Sequence, residues 1–241
     1  MKLGISLFVL LAVACRSARP AGNEAPISPI AAPSIPAAIA ELQTRRSQFT
    51  GERSLMRIRA TTAAGTQSFR AQLQVDAGER MQLTAYTPIG TTAITLFADG
   101  DQVVFLNAIE QTSWQGSAAD FARGFGFFGS LKPAELAMLL LGLPARRGTD
   151  ARMFSDTTFG IAPGMLYDMT PNGLARATIE TDQDLVTVTY DPPAQPPQVV
   201  KVTHGNETLE VTHLDIVASD ATLTAPKVPA SYRAGGVPRL P

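Results

Sequence analysis

One cysteine and two histidines in 241 residues leave little material for metal or thiol chemistry. Neither His204, beside a Gly-Asn turn, nor His213, inside an alternating segment, stands with Cys, Asp or Glu at metal-ligand spacing. The chain carries no nucleophile elbow, no phosphate-binding loop and no dinucleotide fingerprint. Asp182 and Asp184 flank a hairpin tip, where carboxylates are solvated. Charge is also scarce: 17 % of residues are charged and the net charge is −1. That balance argues against a nucleic-acid-binding surface. Proline and glycine are plentiful, at 18 and 19 residues, which fits many turns or strands flanked by loose ends. With 45 % hydrophobic residues, the composition describes a binding scaffold of many apolar positions and few polar anchors, with no enzyme or cofactor signature.

Residues 1–14 read as a secretory signal. Lys2 supplies the positive start, and Leu3–Ala14 is apolar but too short to span a bilayer as a helix. Small residues lead into the lone Cys15 through Leu11-Ala12-Val13-Ala14, which resembles the lipobox of bacterial lipoproteins. Ala12 departs from the leucine usual at its position. The resemblance implies cleavage before Cys15 and acylation of its thiol; the alternative is an ordinary signal that leaves a free thiol. Arg16, where Asp would mark inner-membrane retention, favours the outer membrane. Residues 15–37, rich in Pro, Ala and Ser without periodicity, read as an extended tether.

A short helix is expected over Ile39–Phe49. From Ser54 the period becomes two. Met56, Ile58 and Ala60 alternate with Arg57 and Arg59, and Phe69, Ala71, Leu73 and Val75 alternate with Arg70, Gln72 and Gln74. Breaks fall at Ala64-Gly65, Ala77-Gly78 and Asp99-Gly100-Asp101, with a further strand at Gln102–Ala108. Consecutive strands with short turns imply an antiparallel meander. Ser117 can cap a helix holding Asp120, Phe121 and Phe125, and Gly124, Gly126 and Gly129 then loosen the chain. Pro133 suits the first turn of a second helix that ends at Gly142-Leu143-Pro144. That helix is apolar nearly all round, which suits either a core helix or a greasy lid. Strands resume at Met165–Met169, Leu174–Glu180, Leu185–Tyr190, Val199–His204, Thr208–Thr212 and Leu214–Val217. Turns fall at Pro171-Asn172-Gly173, Asp182-Gln183-Asp184 and His204-Gly205-Asn206, and residues 221–241 form a Pro-rich tail.

The segment Met81–Leu96 organises the rest. Met81, Leu83 and Ala85 alternate with polar residues, Ala93, Ile94 and Leu96 resume the pattern, and Pro88-Ile89-Gly90 must turn the chain. Pro88 fixes φ and Gly90 can take φ > 0. Ile89 is an odd residue for a tip. It either folds back to plug the core or projects as an apolar probe.

The lipobox-like Ala12–Cys15, the hairpin Leu83–Leu96, the Leu-Gly-Leu-Pro end of the second helix (Leu139–Pro144) and the strand pair Val199–Ile216 together resemble LolB, a family within the LolA/LolB fold superfamily. The similarity spans about Gln43 to Val217. It implies a mainly β fold with an α lid: a curved, incomplete antiparallel β-barrel covered by helices and enclosing an apolar cavity, over residues 38–220. It also implies an outer-membrane receptor that accepts acylated lipoproteins from a periplasmic LolA-like carrier and places them among membrane lipid. In that family an apolar residue after the hairpin proline protrudes, and here the position is Ile89. Candidate cavity walls are Met56, Ile58, Phe69, Leu73, Leu83, Leu96, Phe105, Phe121, Leu136 and Leu140. The alternatives are an assembly-factor lipoprotein that binds a protein partner over a filled core, and a carrier of another amphiphile such as a glycolipid.

If Cys15 is the anchor, Cys15→Ser is expected to give an unprocessed or secreted chain that takes up no labelled palmitate. Equal membrane fractionation and labelling of the variant would remove the lipid-anchor reading.

Overall fold

The period-two segments pair with their neighbours as an antiparallel meander. The computed structural model describes residues 34–125, 131–147, 152–162, 164–180 and 185–238. The signal, Cys15, most of the tether, the Gly126 and Gly129 positions and the Asp182–Asp184 turn lie outside them. Helix α1 (Ile35–Ser47) is followed by β1 (Gly51–Thr62), β2 (Gly65–Asp76), β3 (Met81–Tyr86), β4 (Thr92–Asp99), β5 (Gln102–Asn107) and β6 (Thr112–Ser117). Helices α2 (Ala118–Phe125) and α3 (Pro133–Leu140) follow. A second meander comprises β7 (Arg152–Met153), β8 (Thr158–Ala162), β9 (Met165–Thr170), β10 (Gly173–Glu180), β11 (Leu185–Asp191), β12 (Val199–His204) and β13 (Glu207–Ala218). Finally β14 (Arg233–Ala234) lies parallel to β6.

Pairing of β13 with β1 joins the two meanders into one sheet of fourteen described strands, in the order β14-β6-β5-β4-β3-β2-β1-β13-β12-β11-β10-β9-β8-β7. Along β1, Ser54, Met56, Ile58 and Ala60 are buried while Arg53, Leu55, Arg57 and Arg59 are exposed. One face of the sheet therefore carries the core. A bulge interrupts the β1–β13 ladder: Leu55 faces Asp215 and Met56 faces His213, so Leu214 is the extra residue. The bulge puts both Leu214 and Asp215 outside and leaves His213 in the core at 9 % exposure. It also explains why the sequence reads as two short strands where β13 is one.

The helices begin and end where local chemistry dictates. Helix α1 starts at Ile35, inside the segment read as tether, because the Ser34 hydroxyl accepts from the Ala37 N–H and Pro36 is tolerated in a first turn. Ser117 caps α2: its Oγ accepts from the Asp120 N–H at 3.1 Å and donates to the Asp120 carboxylate at 2.7 Å. At the start of α3, Glu135 accepts from the Lys132 N–H at 3.0 Å. Its end is a left-handed glycine cap, with Gly142 at φ +72°, Leu143 N–H to Met138 O at 2.9 Å and Gly142 N–H to Leu139 O at 3.0 Å.

Helix α3 packs against β2, β3 and β4 on one side and meets β11 and β13 on the other. Leu136 through Leu141 are all buried. Of the two readings of this helix, its packing is that of a core element, and it covers the inner face of the sheet at the same time. Its last carbonyls receive sheet donors. Tyr190 Oη donates to Leu139 O at 3.0 Å, and His213 Nε2–H donates to Leu140 O at 2.9 Å. His213 Nδ1 in turn accepts from Ser54 Oγ at 2.7 Å. A neutral ring that donates through Nε2 accepts through Nδ1. Burial pushes the His213 pKa down, against a smaller upward pull from the Leu140 carbonyl.

The segment 221–238 is tied back to the sheet. The Leu223 N–H donates to Asp76 Oδ2 at 3.0 Å, and Leu223 is buried. Asp76 also accepts from the Gly78 and Arg80 N–H groups and from Arg80 Nε. Burial opposes ionisation of Asp76, but these donors outweigh it and hold its pKa below the ordinary value.

His213 binds a proton in the unfolded chain below about pH 6.5 and resists doing so when folded. Its contribution to stability is therefore expected to fall as pH drops from about 6.5 through the depressed folded value. The added slope is at most about 1.4 kcal/mol per pH unit for one proton. Denaturant titrations between pH 8 and 5 measure it, and His213→Gln should flatten the curve in that window.

Candidate functional site

Helix α3 does not fill the space it covers. Pro133, Leu136, Ala137 and Leu140 form the i, i+3, i+4, i+7 stripe that faces β1–β4, and a pocket of about 100 Å³ lies between them and the sheet. The sheet supplies Ile58, Ala60, Phe69, Leu73, Met81, Leu83, Leu96 and Leu209, and α2 supplies Phe125. No polar side chain lines it. Of the walls nominated from sequence, Ile58, Phe69, Leu73, Leu83, Leu96, Leu136 and Leu140 meet here. Met56, Phe105 and Phe121 do not. Met56 is fully buried in the core, and Phe105 and Trp114 pack on Phe121 at 6.3 and 5.9 Å between ring centres. Phe121 also stacks on Phe125 at 5.0 Å, so the aromatic group ends at the pocket. Ala60, Met81, Phe125, Pro133, Ala137 and Leu209 were not nominated, although the alternation of β1 and β3 places Ala60 and Met81 on the inner face.

Two of the half-buried wall residues, Phe69 and Leu209, sit close to one rim of the sheet. Leu209 faces Ala60 and Phe69 faces Ile58 across the ladders, a few residues from the turns at 63–64 and 205–206. The β3–β4 hairpin rises from the same rim, since Arg70 pairs Tyr86 and Tyr86 pairs Thr92. Its loop is closed by Thr87 N–H to Thr91 O at 2.8 Å and Gly90 N–H to Thr87 O at 2.9 Å. Gly90 has φ +85°, and open space surrounds the position its Cβ would take, so it serves backbone conformation and not close packing. Ile89 projects at the tip, 87 % exposed. The neighbouring β5–β6 hairpin carries Ile109, 70 % exposed, on the same rim. Hairpin centres two strands apart stand about 10 Å from each other.

The largest buried charges lie elsewhere. Arg46, 4 % exposed, donates through Nε to Pro144 O at 3.0 Å and pairs with Glu79 at 3.0 Å. Burial lowers its pKa, against the opposing pull of Glu79. It ties α1 to the segment after α3. Tyr167, pushed by burial to about 12, accepts from the Ala145 N–H there. Among the described residues no group of three His, Cys, Asp or Glu side chains is placed to hold a metal, and no helix is long and apolar enough to cross a membrane.

A mainly β chain whose sheet wraps a helix over an apolar pocket is the class the geometry defines. No family model matches the chain, and no curated protein matches it by sequence. Among solved structures it is similar to a LolA superfamily protein from Nitrosomonas europaea, at TM-score 0.48 and 10 % identity over 78 % of this chain and 95 % of that one. It is also similar to a DUF1329 family protein from Desulfovibrio piger, at 0.46 and 8 % over 79 % and 95 %. The lipoprotein LppX of Mycobacterium tuberculosis follows at 0.32 and 14 %, over 74 % and 92 %.

Ile89 makes no core contact that folding needs, so Ile89→Glu is expected to change stability by no more than about 0.5 kcal/mol. Gly90→Ala is expected to cost about 1–2 kcal/mol through the left-handed backbone alone. Urea unfolding of the two variants checks both, and a large loss for Ile89→Glu would return Ile89 to the core.

Proposed function

We propose that this chain is an outer-membrane lipoprotein, anchored by acyl groups on Cys15, that receives lipoprotein acyl chains from a soluble LolA-like carrier and releases them into the bilayer. The observation that carries the reading is the wholly apolar pocket under α3, with half-buried walls next to the rim that presents Ile89. An acyl chain gains about 0.8 kcal/mol per buried CH₂ and asks for no hydrogen bond. A wall of Leu, Ile, Phe and Met side chains meets that need without directional specificity.

At about 100 Å³ the pocket is well below the ~300–1,000 Å³ of ordinary ligand sites. Loading therefore requires it to widen. The C-terminal end of α3 is fixed by Tyr190 and His213. Its N-terminal end is held by apolar contact and by two ion pairs close to the surface, Glu135 with Arg146 and Lys132 with Asp101 at 4.0 Å. Surface pairs of this kind contribute little, so tilting of α3 about its pinned end is the least costly way to open the space. The collapsed pocket then favours release once a bilayer is at hand. Ile89 acts at that moment. A single Ile contributes only ~1.5–3 kcal/mol on burial, too little for an anchor beside acyl groups but enough to disturb the lipid interface locally.

Two variants test this. Ala137→Leu fills the pocket and is expected to keep the melting temperature within a few degrees while capture of a dansylated, acylated peptide falls at least tenfold. Ile89→Glu is expected to capture normally and lose most transfer of that peptide to liposomes, with Ile89→Leu near normal. Undiminished capture by Ala137→Leu would place acyl binding elsewhere or nowhere.

A further inference from the structure

The outer face of the sheet just below the Ile89 hairpin has no use so far. On β1, β2 and β3 the ladders set Arg57 opposite Arg70 and Arg70 opposite Tyr86. All three belong to outward-facing registers, and both arginines are exposed. They share a groove of about 580 Å³ that runs to Pro88 and Gly90 in the hairpin. No carboxylate lines this groove, and among the described residues no ion pair involves Arg57 or Arg70. The nearest acids on this face by register are Glu210, opposite Arg59 and Lys201, and Asp215, opposite Leu55; neither forms an ion pair with Arg57 or Arg70. Like charges directly opposite across a ladder destabilise a sheet. Two exposed arginines at directly opposite ladder positions, neither in an ion pair, thus mark a place where an anion would relieve a standing repulsion.

The spacing says which anion. Ile89 lies three residues beyond Tyr86, so its Cα stands at most about 10 Å past the row. An apolar group inserted at a bilayer surface sits about 5–10 Å into the headgroup and acyl boundary. With Ile89 at that depth, Arg57 and Arg70 stand at the level of the lipid phosphates, and Tyr86 sits where interfacial tyrosines concentrate. We propose that the Arg57–Arg70–Tyr86 row is a docking site for the phosphates of an anionic glycerophospholipid surface, setting the depth and tilt at which the Ile89 hairpin enters. Ile109, on the neighbouring hairpin of the same rim, gives the docked face a second apolar contact. This rests on the reading that Ile89 meets a membrane. It adds the lipid class that the rim selects.

The test uses the chain from residue 16 onward, without the apolar signal and the acylated Cys15, so that neither holds it to lipid, and co-sedimentation with vesicles. Binding to phosphatidylglycerol-containing vesicles is expected to exceed binding to pure phosphatidylcholine and to weaken as salt rises. Each juxtamembrane arginine is worth about fivefold in binding. Arg57→Gln with Arg70→Gln should therefore lose about thirtyfold on the anionic vesicles, whereas Arg57→Lys with Arg70→Lys should lose less than fivefold. Arg53→Gln with Lys201→Gln removes the same charge from the same face outside the row, and should lose less than threefold. Melting temperatures should be unchanged, or slightly raised in the Arg70→Gln single variant by relief of the like-charge pair. Equal loss in the two double glutamine variants would reduce the effect to net charge and overturn the proposal, as would no preference for anionic vesicles. Capture of the acylated peptide without vesicles is expected to be the same in parent and variants. A parent that docks on vesicles but captures no peptide would remove the acyl-carrier reading and leave the docking row standing.

Discussion

A helix buried on every side has no water to satisfy its last carbonyls, and each one left bare would cost about 1–3 kcal/mol. In this chain the solution shapes the whole sheet. Gly142 turns the chain so that two carbonyls of α3 receive backbone donors, while Tyr190 on β11 and His213 on β13 reach in for Leu139 and Leu140. His213 can do this because the bulge at Leu214 leaves it facing inward, and Ser54 on β1 fixes its ring from the other side. Three of the four consecutive strands β1-β13-β12-β11 are thereby tied to one helix terminus. The sheet has to curl around α3 for these bonds to form, and the curl makes an inner face with a space beneath it.

That space and the projecting rim are products of one arrangement. Tyr190 and His213 hold the last carbonyls of α3, while Pro133, Leu136, Ala137 and Leu140 of the same helix line the apolar pocket against β1–β4. The rim turns that flank its half-buried walls include the hairpin bearing Ile89. Phe69 contributes both to the pocket inside and to the basic groove outside. An acyl chain leaving the pocket by this rim would emerge beside the residues suited to meet a membrane. In the proposed reading, clamp, pocket and rim follow one another along a single face.

Much of this was legible because it is local. Alternation in β1 to β5 names the inner face directly, and Ser117, Pro133 and Gly142 announce helix ends through chemistry that acts within a few residues. What was not legible depends on distant partners. Strand β6 carries one large apolar residue, Trp114, so nothing in Thr112–Ser117 signals a strand until β5 pairs with it. The bulge at Leu214 exists only against β1. The short β14 exists only against β6. The same limit explains the cavity walls. Met56, Phe105 and Phe121 point inward like Ile58 and Leu96, but which part of an inner face stays empty is decided by where α2 and α3 come to rest. The exposure of Ile89 belongs to the same class: its tip sequence permitted either a plug or a probe until the path of the loop fixed it.

The central claim is that the pocket between α3 and β1–β4 receives acyl chains. It is tested most directly by mapping where a photoactivatable acyl chain crosslinks. A lipopeptide bearing a diazirine near the end of one acyl chain is mixed with the protein, irradiated and located by peptide mass spectrometry. The account predicts adducts concentrated on α3 and on the inner positions of β2 to β4, such as Leu136, Ala137, Leu83 and Leu96, and their disappearance with Ala137→Leu. Adducts confined to the exposed Met153 and Phe154, or none above background, would contradict it.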